Sequence, residues 1–227
     1  SRDWDMAELV ARHLLGHGVK ISVDTRVASL LGADHVESVA TDRGCLPADM
    51  VILSVGVRPN ADLAARAGLA TGPTGAIRVD DYLRTSDPDI YAAGDCAEVT
   101  HLVTRRPCFI PRGSTANKQG RIAAVNACGG RERFVGVLGS TICKVFDYSV
   151  GWTGISEKEA RAAGFDPVSV LTPAPDKPHF MPDARTLMLK LVADRTTRRV
   201  LGVQATGPGT ADKRIDVAAM AIAAGMT

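Results

Sequence analysis

Apolar positions along the chain change period several times, and each change marks an element. Over residues 3–16 (DWDMAELVARHLLG), Met6, Leu9, Val10, His13 and Leu14 recur at helical spacing. That predicts an amphipathic helix, capped by Asp3 or Asp5 and stopped by Gly16 or Gly18. Residues 19–23 alternate as a strand, and 27–31, 36–41 and 50–55 read as further strands, with turns at Gly32 and Arg43-Gly44. Pro59, in Arg58-Pro59-Asn60, continues neither sheet nor helix, so a domain boundary is placed there. Beyond it the pattern predicts a short helix over 61–69 ending at Gly68, a turn over 71–75 and a short strand over 77–80. A second turn, 85–89, feeds a central apolar strand over 90–93. Residues 114–127 read as a helix opened by Gly113-Ser114-Thr115, with Ser114 or Thr115 as N-cap. One of its faces is small: Ala116, Gly120, Ala123, Ala124 and Ala127.

From Arg131 the texture changes. Residues 139–150 read as one strand. Ser156-Glu157-Lys158-Glu159 is a capping box opening a helix that Gly164 closes. Residues 167–172, 187–193 and 200–205 are strands, with a polar turn at 194–199, and 215–224 is a strongly apolar helix. The β-α-β-β-β-α order predicts a separate α+β domain.

Composition narrows the function classes. With 45% apolar residues the chain of 227 can bury a core, and with 4% aromatic that core is Ala, Val, Leu and Ile. A net charge of +2, with both signs interspersed, gives no support for nucleic-acid or anionic-membrane binding. No apolar run reaches the length of a membrane span, and the start shows no leader pattern. The five cysteines form no C-x-x-C; they read as reduced thiols in a cytoplasmic setting, packed as small hydrophobes. His13 and His17 have a spacing that can bind metal, but no third ligand is near in sequence, so they read as a helix-end pair. Arg105-Arg106 reads as a solvated loop. There is no Ser-His-Asp arrangement, no metal cluster and no pair of catalytic carboxylates. The chain starts without Met and stops just past an apolar helix, so the expectation is the C-terminal part of a longer protein.

Candidate chemistry concentrates in residues 85–98, TSDPDIYAAGDCAE. Ala92, Ala93 and Gly94 allow a backbone or a flat ligand to approach closely. Asp95 stands at the carboxyl end of a strand, where open α/β sheets bind nucleotides and a carboxylate can accept hydrogen bonds from sugar hydroxyls. Capping of the next turn is the other reading of Asp95. The 114–127 helix offers N–H donors and about half a positive charge at its start. Its small face suits a ligand-facing helix or an ordinary packing helix.

The 85–98 stretch is similar to the second flavin-binding segment of the FAD-dependent pyridine nucleotide-disulfide oxidoreductases. Three other stretches match that family in the same order: VILSVGVRPNADLAARAGL (51–69), PRGSTANKQGRIAAVNACGG (111–130) and TGISEKEARAAGFD (153–166). The branch it most resembles is that of the coenzyme A-disulfide reductases and NADH oxidases. The resemblance implies an α/β part, remnants of nicotinamide- and FAD-binding Rossmann-like domains, followed by an α+β interface domain. The divisions would be 1–57, 58–130 and 131–227, the last truncated at its C-terminus. It implies FAD held by Gly94, Asp95, Ser114, Thr115 and Ala116, with the helix start facing the pyrimidine edge of the flavin. Gly56 would lie near the nicotinamide dinucleotide. It implies NAD(P)H as cosubstrate, a homodimer and a small sulfur-containing substrate. No G-x-G-x-x-G occurs here, so both glycine loops and the redox cysteine are expected upstream. In the Pro-rich loop PAPDKPHFMPDA (173–184), Phe180 and Met181 stand where the coenzyme A-disulfide reductases carry tyrosine, and neither moves a proton. That leaves room for a persulfide, polysulfide or oxygen acceptor. The neighbouring His179 suits an acid-base role or a solvated loop. An NADH oxidase, or a dimerisation module without activity of its own, are the rival functions.

Overall fold

The computed structural model describes residues 3–227. The chain divides into two bodies, one made of Leu14–Val57 and the other of the residues up to His13 together with Arg58–Thr227.

In the larger body, the alternating C-terminal segments pair into a five-stranded antiparallel sheet ordered β6-β7-β10-β9-β8. Its strands are β6 (Thr141–Val145), β7 (Tyr148–Gly154), β8 (Pro167–Pro175), β9 (Thr186–Asp194) and β10 (Val200–Gly207). The strand expected over 139–150 is instead a hairpin, because Phe146 takes a left-handed φ of 53° and the chain reverses there. Central β10 is buried along almost its whole length. Val203 and Ala205 pack with Leu187 against Ala211, Ile215 and Ala218 at the start and on the face of helix α5 (Asp212–Ala223). Where β10 pairs with the end of β7, at Gly154, a Cβ on Gly202 would lie 1.9 Å from the Ile155 carbonyl oxygen, so only glycine fits.

The opposite face of the same sheet carries buried polar residues: Lys190, Gln204 and Thr206. Gln204 stands between Trp152 and Lys190 in the cross-strand register. Part of its cover comes from the other end of the chain, the first turns of α1 (Trp4–Gly16) with Asp3 before it. Met6 and Val10 are buried, Asp3 N–H donates to Gln204 Oε1 at 3.0 Å, and Gln204 Nε2 donates back to Asp3 Oδ2 at 2.6 Å. The Asp3 carboxylate also accepts from the Glu157 N–H (3.1 Å), at the start of α4 (Glu157–Ala163). The capping box on α4 is present as expected: Ser156 Oγ accepts from Glu159 N–H, the Glu159 carboxylate accepts from Ser156 N–H, and Gly164 ends the helix at φ 93°.

Between α1 and this sheet in sequence lie short elements with a small core of Ala61, Ala64, Ile77, Ala92 and Ala97. Helix α2 (Asp62–Arg66) supplies Ala64, and its N-cap is Ala61. The expected strands at 77–80 and 90–93 are reduced to isolated bridges, Ile77 with Thr71 and Ala97, and Tyr91 with Arg84. A strand needs successive pairs along one neighbour, and here each neighbour takes up only one or two groups: Thr85 N–H donates to the Ile90 carbonyl at 2.9 Å and Ala92 N–H to the Leu83 carbonyl at 3.1 Å. A two-stranded pair joins β4 (Val99–Thr100) to β5 (Pro107–Cys108), and α3 (Gly113–Ala127) follows. Arg105-Arg106 is no simple solvated loop. Arg106 donates to the carbonyls of Ala162 (3.3 Å) and Ala163 (3.0 Å), the C-terminal end of α4, where a cation complements the helix dipole.

The smaller body is a meander of β1 (Val27–Leu31), β2 (Ser38–Thr41) and β3 (Gly44–Pro47) in that order. The expected strands at 19–23 and 50–55 do not form. Residues 50–57 run without partners and leave Met50, Ile52, Leu53, Val55 and Val57 strongly exposed, Val55 at 91%.

Candidate functional site

The segment expected to bind a ligand folds as a tight turn. Gly94 has a φ of 81°, which glycine adopts without strain, and Ala97 N–H donates to its carbonyl at 3.1 Å. Asp95 sits on the turn, exposed, while Ala92 behind it is buried. The turn lies against α3. A Cβ on Gly94 would meet the Ala116 Cβ at 3.5 Å, and Gly94 N–H donates to Gln119 Oε1 at 2.8 Å. The structure therefore brings Gly94 and Ala116 together and sets Asp95 one residue from that contact.

Helix α3 begins one residue earlier than expected. Its N-cap is Arg112, extended at φ −150°, and no side chain caps it. Ser114 and Thr115 are thus not caps; they lie inside the first turn, Ser114 exposed and Thr115 half-buried. The physical reason is that the backbone turns helical at Gly113, ahead of either hydroxyl. The first turn keeps its N–H donors without a side-chain acceptor, which makes it receptive to negative charge. Beside it lies a cavity of about 260 Å³, lined by Arg112, Ser114, Thr115 and Lys118 together with Phe134 and Ser140.

The packing face of α3 also differs from expectation. Gly120, Ala124 and Ala127 are exposed, and a Cβ on Gly120 would meet nothing within 4 Å. The buried side chains are Gln119 and Asn126, seven residues apart on one face. Asn126 Nδ2 donates to the carbonyls of Tyr82 and Glu132, each at 2.8 Å, and its Oδ1 accepts from Glu132 N–H at 2.7 Å. Periodicity missed both residues because it counts apolar positions. Two amides at i and i+7 were the available signal.

A larger cavity, about 610 Å³, is lined by His101, Arg106, Cys108, Arg112, Trp152 and Glu159 among others. Burial lowers the His101 pKa against the opposing pull of Glu159, and His101 Nδ1 accepts from Val103 N–H at 3.2 Å. Burial foremost, with Glu98 adding to it, pushes the Cys108 thiol up to about 11, so it stays protonated at neutral pH. All five cysteines are free thiols, but they are not buried hydrophobes: Cys45, Cys128 and Cys143 are exposed, and Cys96 and Cys108 half-buried. Cys45 and Cys143 lie on edge strands β3 and β6, and Cys128 ends α3, positions with one side open to water. His13 has a carboxylate neighbour that sequence distance concealed. Its Nε2 lies 3.0 Å from Asp147, and its ring stacks on Tyr148 at 3.6 Å. His179 is exposed on its loop, beside Phe180.

An α/β part that ends in a glycine turn held on an uncapped helix, followed by a five-stranded antiparallel sheet with two helices, defines the class. The chain belongs to the pyridine nucleotide-disulphide oxidoreductase family, whose pattern matches residues 2–126, and the family's dimerisation domain matches residues 140–227. Among its relatives, a CoA-dependent NAD(P)H sulfur oxidoreductase of Pyrococcus furiosus is 40% identical over 225 residues, 99% of this chain and 50% of the relative. A NAD-dependent persulfide reductase from A. fulgidus is 45% identical and superposes with a TM-score of 0.96 over 99% of this chain and 42% of its own. A FAD-dependent pyridine nucleotide-disulphide oxidoreductase from Desulfovibrio vulgaris is 38% identical, with a TM-score of 0.87 over 100% of this chain and 55% of its own. The chain spans about half the length of the curated relatives it matches. Among the described residues, no helix is long and apolar enough to cross a membrane.

Proposed function

We propose that this chain is the C-terminal portion of a flavoprotein oxidoreductase that passes electrons from NAD(P)H through FAD to a disulfide, coenzyme A-disulfide, persulfide or polysulfide. Residues 1–57 belong to its nicotinamide-binding domain, 58–130 to its FAD-binding domain and 131–227 to an interface domain that makes a homodimer. The observation that carries this reading is the junction of the Gly94–Asp95 turn with the first turn of α3, closed by the 2.8 Å bond from Gly94 N–H to Gln119. It fits FAD by its chemistry. The exposed Asp95 carboxylate accepts from sugar hydroxyls, the uncapped N–H groups at Ser114 and Thr115 favour negative charge, and Gly94 and Ala116 hold back side-chain bulk. Bound there, FAD supplies the two-electron chemistry; these residues bind it, orient it and favour its reduced, anionic form. The names of the sulfur-reducing relatives support the acceptor class. Phe180 and Met181 carry no titratable proton, which favours a persulfide or polysulfide over a coenzyme A disulfide. Five free thiols suit a reducing compartment, and we place the protein in the cytoplasm.

The full-length protein should be yellow, and Asp95→Ala should raise its Kd for FAD by at least about tenfold, the loss of a charge-assisted hydrogen bond. Purified with flavin, it should oxidise NAD(P)H when given a disulfide, persulfide or polysulfide. A colourless protein, or one inert to all three acceptors, overturns the reading. Oxygen consumption with no sulfur compound present would instead make it an NADH oxidase.

A further inference from the structure

Gln119 belongs to none of the ligand-binding positions expected of this chain, yet the structure places it at the centre of the candidate site. It is fully buried, one helical turn after Ala116 on α3. A buried carboxamide has four hydrogen-bonding positions to satisfy. Its Oε1 accepts from Gly94 N–H at 2.8 Å. Its Nε2 has no acceptor among the described residues. Asn126, the other buried amide of α3, shows the contrast: its oxygen and its nitrogen are both bonded to backbone. A helix that buries one satisfied amide for its own packing and one half-satisfied amide beside the turn is treating the two differently.

The half that is satisfied does a defined job. At φ 81° the Gly94 N–H points away from any ladder, and no backbone carbonyl receives it. Gln119 supplies that acceptor from α3 itself. The bond fixes the turn to the helix through one side chain, so Asp95 and the first turn of α3 keep one relative position. Ala116, three residues earlier, gives the close contact that sets their distance. We propose that Gln119 is the positioning residue of the cofactor site: Oε1 locks the Gly94–Asp95 turn to α3, and the amide is kept there although its Nε2 is buried without a partner among the described residues. That the locked turn serves a cofactor rests on the FAD reading above; the lock itself does not.

The lock and the cofactor can be separated by experiment. Amide hydrogen exchange at Gly94, measured on this chain without flavin, reads the lock alone. Gln119→Leu keeps the size and removes the acceptor, and should speed Gly94 exchange by about tenfold or more while leaving β9 and β10 protected. Gln119→Glu keeps an oxygen for Gly94, and in that variant Gly94 protection should be retained. In the full-length holoprotein, Gln119→Leu should raise the FAD Kd by about tenfold or more and move the visible circular dichroism band of the bound flavin, and Gln119→Glu should keep both close to the parent. If Gln119→Leu unfolds, Gln119→Met, which also lacks the acceptor, is read in the same way. Unchanged Gly94 exchange in the variant without the acceptor overturns the lock. Faster Gly94 exchange with unchanged flavin band and Kd, in a protein whose flavin is lost on Asp95→Ala, overturns the positioning role while leaving the FAD reading intact. A protein that binds no flavin at all overturns that reading and leaves the lock standing or falling on exchange alone.

Discussion

At the scale of single residues, Lys190 has the most constrained surroundings in the chain. Its ammonium is 6% exposed and lies 2.8 Å from Asp5, 3.2 Å from Glu157 and 3.3 Å from Asp3. Burial works to lower its pKa, but hydrogen bonds to Asp5 and Glu157 outweigh burial and raise it. Glu157 moves the other way. The Ser169 hydroxyl, foremost, holds it down to about 2, with Arg161 and Lys190 helping against burial. A carboxyl whose folded pKa is depressed stabilises the fold above its ordinary 4.5, and that contribution is lost as pH falls through about 2. Glu157→Gln should therefore flatten the fall of stability between those two pH values, read from urea midpoints at each pH. Lys190→Met should cost about 3–5 kcal/mol at neutral pH, because it strands the buried Asp3 carboxylate beside those of Asp5 and Glu157. A cost below about 1 kcal/mol would mean that the cluster is open to solvent. In sequence, Asp3 and Asp5 read as helix caps and Glu157 as part of the α4 capping box. Nothing local to Asp3 or Lys190 announces a partner that is 187 residues away by the two residue numbers.

At the scale of elements, what could be read was what is local. The capping box of α4 needs only Ser156, Glu159 and Gly164, all within nine residues, and it forms as written. The helices α1, α3 and α5 also stand close to where periodicity puts them. Strands fared differently. Those of the C-terminal sheet form because β7, β9 and β8 run in extended antiparallel register with their neighbours, broken only by a shift between Val200 and Gly202. The apolar run at 50–55 has no ladder partner among the described residues, and that at 90–93 pairs only at the Tyr91–Arg84 bridge, so pattern without extended pairing left both irregular. The hairpin at Phe146-Asp147 was hidden for a related reason: Phe is a poor turn signal, and its left-handed φ is imposed by the pairing of β6 with β7. Glycine at 202 carries the tightest demand on any element, and Gly202→Ala should destabilise the sheet by several kcal/mol, about 2–4, since a Cβ there meets the Ile155 carbonyl and must push β10 off its neighbour. Denaturant unfolding checks it, and a loss under about 0.5 kcal/mol would show that the 154–155 backbone yields freely.

At the scale of the whole molecule, the sheet of the dimerisation domain has two buried faces of opposite character. One is apolar and meets α5; the other carries Lys190, Gln204 and Thr206 and meets the segment before His13. Outside both, α5 leaves Val217 and Met220 71% exposed, and β8 leaves Val170 60% exposed. Apolar surface of that kind supports the proposed homodimer. Light scattering should give twice the 23.9 kDa of one chain, and Met220→Asp should shift it to one. A monomer at every concentration tested would remove the dimer from the proposal. Sequence alone determined the helices, the cap of α4, the change of texture near Arg131 and the segments that carry the family likeness, because helical period, caps and short motifs are satisfied within a few residues of themselves. Only tertiary structure decided which apolar runs became strands, which polar residues were buried and how Gly94 is held, because each of those depends on a partner that chain order does not name. The Gly94 amide waits for an oxygen 25 residues further on, and only folding brings Gln119 to it.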